Sequence, residues 1–171
     1  SYQAALAIMN GTTWTPPNPS PDLSGGYVVV KNCLIAHNTI VNAAQAVNFG
    51  VGNGSSGRNT PPRDNTLAAN IIVSSNAPLF TLTDTPINTT YLSNLVWGAA
   101  TGLPADPTLI VADPLLAPDG WGVQRPATNS PAAGGAATDL LFPGDLFDLD
   151  GALRPLTGRD IGADQIGLGS R

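Results

Sequence analysis

A chain of 171 residues is long enough for one domain with a real core, and 42% apolar residues exclude a disordered tail. All 12 acidic residues are Asp, Lys31 is the lone lysine, and the formal charge is −5. That balance offers no basic stripe for nucleic acid, no apolar run of roughly 18 residues for a membrane helix, and few helix formers beyond Ala and Leu. A helical bundle, a coiled coil and a doubly wound α/β fold are therefore set aside.

Taken in order, short apolar runs each meet an Asn and then a second short run. Ala7-Ile8-Met9 precedes Asn10, and Leu34-Ile35-Ala36-His37 precedes Asn38-Thr39-Ile40-Val41. Leu67-Ala68-Ala69 precedes Asn70-Ile71-Ile72-Val73, and Tyr91-Leu92-Ser93 precedes Asn94-Leu95-Val96-Trp97. The steps between these asparagines are 28, 32 and 24 residues. An uneven period of this size, built from short β-rich runs, predicts stacked coils. The unevenness sits in two loop-like insertions, at about 12–26 (Pro16-Pro17-Asn18-Pro19) and 50–64 (Gly50 to Gly57). Asn suits the bends because it tolerates left-handed backbone and bonds locally. Stacking then predicts a ladder of Asn10, Asn38, Asn70 and Asn94, each amide donating to the next.

From residue 104 the pattern changes. Asp106-Pro107, Asp113-Pro114, Ser130-Pro131 and Gly134-Gly135 punctuate a stretch without long apolar runs. Residues 104–171 read as an extended segment of the same domain that packs along and over the last coils and caps them. The fold class predicted for 1–103 is all-β, a right-handed parallel β-helix. The opening Ser1-Tyr2 suggests a piece of a longer polypeptide.

Several motifs tempt. Gly52-Asn53-Gly54-Ser55-Ser56-Gly57 matches a dinucleotide fingerprint, but Arg58-Asn59-Thr60-Pro61-Pro62 cannot open the helix that must hold the pyrophosphate. Asp148-Leu149-Asp150-Gly151 has the flavour of a calcium loop without its third ligand or closing Glu, so it reads as a turn and no metal site is assigned. Cys33, the only cysteine, lies in an apolar run and reads as a buried, inert thiol. His37, the only histidine, has no partner for metal ligation and reads as a wall-facing or hydrogen-bonded residue. Trp14 either stacks on a sugar ring or packs its own loop down. Arg58, in the Gly/Ser insertion, either clamps a carboxylate or sulfate or is a solvated loop charge.

Ala5 to Gly11, Tyr27 to Asn42 and Pro61 to Val73 together resemble the later coils of polysaccharide lyase family 6, which holds chondroitinase B and alginate lyases on right-handed parallel β-helices. The run from Asp113-Pro114 to Asp160-Ile161-Gly162-Ala163-Asp164 resembles a closing segment of bacterial secreted β-helix proteins. The resemblance implies a secreted or periplasmic protein and β-elimination on a uronic-acid polysaccharide. It implies a Lys base, an assisting Arg and a Ca²⁺ that offsets the uronate charge. Those catalytic coils lie upstream of the matching segments, so no catalytic residue and no cofactor is assigned to this chain. Lys31 falls on an ordinary coil segment. Arg58 and Trp14 are the expected substrate-binding residues, with anionic polysaccharide and the upstream coils as partners. The rival readings are a structural β-solenoid that self-associates end to end, and a carbohydrate-binding β-helix without chemistry.

Overall fold

The computed structural model describes residues 4–12, 27–76, 78–103, 108–137 and 146–167. Trp14 and most of the first insertion lie outside the described residues. The described chain is all-β, with a single 3₁₀ turn, Ser55–Gly57, as its helical element.

Three sheets carry the architecture. The first joins β1 (Ala4–Met9), β4 (Gln45–Val51) and β7 (Phe80–Leu82). The second joins β2 (Leu34–Ala36), β5 (Thr66–Ala68) and β8 (Thr90–Leu92). The third joins β3 (Thr39–Val41), β6 (Ile71–Ser74), β9 (Asn94–Gly98) and β10 (Leu109–Val111). Every pairing in them is parallel. From β1 to β9 strands adjacent in sequence go to different sheets, so each sheet takes one strand from each successive layer, and β10 then adds to the third sheet beside β9. Ile35 pairs with Leu67 and Leu67 with Tyr91, while Ile40 pairs with Ile72 and Ile72 with Val96. A parallel register stacks like positions on like positions, and so the interior positions fill one core. That core holds Ile8, Val47, Phe49, Leu67, Ile72, Leu79, Phe80 and Val96. Phe80 and Tyr91 meet edge to face at 5.9 Å.

The bends between strands are made by left-handed residues in two columns. Asn32, Asp64 and Asn88 have φ of 53°, 55° and 50°; His37, Ala69 and Ser93 have φ of 53°, 49° and 51°. The second column precedes the ladder asparagines. The expectation that the asparagines themselves take the left-handed conformation is thus corrected. The residue before each one turns the chain, which leaves the Asn side chain free to point along the stack.

The C-terminal segment opens with β10, which still pairs parallel with β9, and leaves the parallel pattern only beyond it. Its strands β11 (Leu116–Pro118) and β12 (Gln124–Pro126) form an antiparallel hairpin. Beyond it, Ile161, Ala132 and Ala136 pack on Ala68, Ala69, Ile71 and Leu95. Burying Ile161 alone is worth about 1.5–3 kcal/mol. The Gly162 amide donates to the Ala69 carbonyl at 2.8 Å, and the Ala163 amide to Thr39 Oγ1 at 3.0 Å. The segment therefore lies along the flank of the layers and reaches back to β3.

Candidate functional site

The asparagine column exists, with three of its four expected members. Asn38 Nδ2 donates to Asn70 Oδ1 at 2.9 Å, and Asn70 Nδ2 donates to Asn94 Oδ1 at 2.8 Å. The same two oxygens accept the backbone amides of Asn38 and Asn70 at 3.0 and 3.1 Å. Asn94 Nδ2 ends the chain on the Leu67 carbonyl.

Asn10 stands elsewhere. β1 pairs with β4, so Asn10 follows the first sheet, whereas Asn38, Asn70 and Asn94 follow the second. The sequence pattern alone hid this difference. Asn10 Nδ2 donates to Asp84 Oδ2 at 2.8 Å, to Asn53 Oδ1 at 3.3 Å and to the Arg58 carbonyl at 3.4 Å. It pins the turn after the first sheet to the Gly/Ser loop.

A further asparagine at a bend, Asn65, carries no signal in the sequence pattern. It is fully buried, accepts the Cys33 amide at 3.0 Å and donates to the Val30 carbonyl at 3.1 Å. Other layers put Cys33 and Thr89 where this layer has Asn65, so no repeat of Asn could have flagged it.

Cys33 is exposed, which corrects the buried-thiol expectation. It lies on the corner between the left-handed Asn32 and the start of β2 at Leu34, so it is outside the strand that carries Ile35 inward. His37 is buried at its left-handed bend, and its amide donates to the Ala68 carbonyl at 3.1 Å.

Arg58 is only 5% exposed. Its Nε donates to the Ser55 carbonyl at 2.9 Å, and its guanidinium carbon lies 4.2 Å from the Tyr27 ring centroid. A Cβ on Gly52 would come within 2.6 Å of that carbon. The picture of a guanidinium held out at a loop tip gives way to one folded into the loop beneath a half-exposed tyrosine. Loop glycines leave the room for it. The literal dinucleotide fingerprint is this same turn, with no helix after it.

The densest charge cluster lies in the C-terminal segment. Arg125 binds Asp150 through both terminal nitrogens, at 2.8 and 2.9 Å, Asp119 through Nε at 2.8 Å, and Asp164 at 2.9 Å. The bonds to Asp150 and Asp119 hold the guanidinium pKa above its ordinary value. The bond from Arg125 lowers the Asp119 carboxyl pKa, whereas burial raises that of Asp164 against the same Arg. A resident Ca²⁺, which the resemblance implies for the catalytic coils, does not fit these residues. Asp150 is taken by Arg125, and Asp148 Oδ1 accepts the amides of Asp150 and Ala152. Among the described residues no three His, Cys, Asp or Glu side chains group as a metal centre.

One solved structure sets this layered sheet arrangement beside a known protein, an arginine-to-alanine mutant of the PL6-family alginate lyase AlyGC. The TM-score is 0.55 with 24% identity over 71% of this chain. The chain resembles a polysaccharide lyase in fold. It spans 15% of that lyase chain's length, and at this identity the likeness speaks for the fold alone. No family model and no curated protein matches the chain.

Proposed function

We propose that the chain is a coil-and-closing segment of a secreted polysaccharide lyase, a right-handed parallel β-helix acting by β-elimination on a uronic-acid polysaccharide of alginate or dermatan type. The observation that carries this reading is the parallel, in-register layering pinned by Asn38, Asn70 and Asn94, seen together with its likeness to an alginate lyase fold. In this reading the proton α to the carboxylate is removed by a Lys on coils outside these residues, where any Ca²⁺ also sits. The chain supplies the ordinary coils, the flank-packed C-terminal segment and part of the surface that the polymer crosses. Tyr27, carried on Arg58, offers a half-exposed ring face toward that surface, and Trp14 belongs to the neighbouring insertion.

The test is direct. The chain is incubated with alginate and with dermatan sulfate, and the ultraviolet absorbance of unsaturated product is followed. No turnover is expected from this chain alone, with turnover restored when the upstream coils are joined to it. Clear turnover by the chain alone overturns the placement of the base.

A second reading has one observation in its favour. Leu6, Ile35 and Ile40 occupy interior positions whose counterparts Val47, Leu67 and Ile72 are fully buried, yet they are only partly covered. A partly covered apolar edge is a surface that another layer, from the same polypeptide or from a second copy, would cover. Concentration-dependent filaments in electron micrographs would favour end-to-end stacking of copies over the lyase reading.

A further inference from the structure

Seven Lys and Arg residues serve the whole chain, and most of those described are engaged within the protein. Arg125 is held by carboxylates, Arg58 by its loop, and Arg154 and Arg159 by main-chain oxygens of the C-terminal segment. Lys31 and Arg63 are different. A parallel bridge sets Lys31 directly beside Arg63, and the next bridge sets Arg63 beside Ile87. Residues in register in a parallel ladder project from the same face, about 4.8 Å apart.

This column faces outward: Lys31 is exposed, Arg63 is half-buried between its neighbours, and Ile87 is 45% exposed. The nearest acid in sequence does not neutralise it. Asp64 is turned away by its left-handed backbone, and its Oδ1 accepts Asn88 Nδ2 at 3.2 Å. Among the described residues neither cation has a hydrogen-bonding or ion-pair partner. Two like charges held one strand apart repel unless an anion lies across them.

We infer that Lys31, Arg63 and Ile87 form a binding strip for a carboxylate-bearing polysaccharide lying along the stack of layers. The two cations receive successive uronate carboxylates, and Ile87 lies against the apolar face of the following ring. The strip rests on the uronic-acid reading above and adds to it a site on these coils. The net charge of −5 offers a polyanion no general attraction, so its binding calls for a local pair of cations such as this one.

The experiment is affinity electrophoresis of the whole chain in native gels containing alginate, with neutral glucan and inorganic polyphosphate as comparison polymers, at low ionic strength. Retardation by alginate alone is expected. The double variant Lys31→Gln/Arg63→Gln should weaken the apparent Kd about tenfold, and each single variant about threefold. Lys31→Arg should bind as the wild type does. Alginate retardation that the double variant leaves intact overturns the strip while the uronic-acid reading stands. No retardation by alginate overturns both. Equal retardation by polyphosphate overturns the fit to uronate and leaves a bare charge effect.

Discussion

At the scale of single residues, position in a column matters more than residue type. Asn38 and Asn70 each donate to the next asparagine of the column, yet Asn38 is exposed and Asn70, which also accepts from Asn38, is 2% exposed. Removing Asn70 leaves the Ile35 carbonyl and Asn94 Oδ1 each short of a donor in a site that water does not reach freely. Removing Asn38 leaves groups that water can satisfy. Urea denaturation should therefore show Asn70→Ala losing about 2–3 kcal/mol and Asn38→Ala less than about 1 kcal/mol. Equal losses would mean that the bonds act singly and the column has no buried centre. The sequence made Asn38, Asn70 and Asn94 legible because apolar runs flank each of them. Asn10 shares that flanking, but register put it after another sheet.

At the scale of elements, the tightest approach between the C-terminal segment and the layers lies at Gly162, beside the apolar contact made by Ile161, Ala132 and Ala136. Gly162 has φ +97°, and a Cβ there would stand 2.6 Å from Ile71 Cδ1 and 2.9 Å from Thr39 Oγ1. Gly162→Ala combines overpacking with a backbone conformation that L side chains avoid. A loss of about 2–4 kcal/mol is expected, with faster hydrogen exchange at the amides of 162 and 163 before those of β5 and β6. Uniform exchange across both regions would show that segment and layers open as one unit.

The Arg125 cluster ties the β11–β12 hairpin to the same segment and makes it sensitive to acid. The Asp119 pKa is lowered in the folded state, chiefly by its bond to Arg125, so its contribution is present above the ordinary carboxylate range and is lost as pH falls through the lowered value. The Asp164 pKa is raised by burial, so acidification favours the folded state as pH falls through that raised value. The two oppose each other. Stability measured from pH 6 to 3 should fall less steeply in Asp119→Asn than in the wild type, and more steeply in Asp164→Asn. A reversal of that order would show that Arg125 outweighs burial at Asp164.

At the scale of the whole molecule, three parallel sheets share one core, and the flank of the layers is sealed by Ile161, Ala132 and Ala136. That geometry gives the stack a covered side at the Asn38–Asn94 corner. It leaves the Lys31–Arg63–Ile87 column facing outward. Under the proposed function, acidic polymer is expected to meet the molecule on that column. Joining upstream coils should then cover Leu6, Ile35 and Ile40 and raise the stability of β1 and β2.

The sequence by itself determined that the chain is β-rich and that short strands recur with asparagines beside their bends. Those facts follow from local preference: short apolar runs, turn residues and an absence of strong helix formers act within a few residues of themselves. Only the tertiary structure decided which residues share a column, because register is set by pairing between layers 24 or 32 residues apart. It also decided that Cys33 faces out and that Arg58 folds under Tyr27. It brought Arg125 to Asp119, Asp150 and Asp164. Each of these depends on contacts between segments distant in the chain, and no local composition encodes which distant segment arrives.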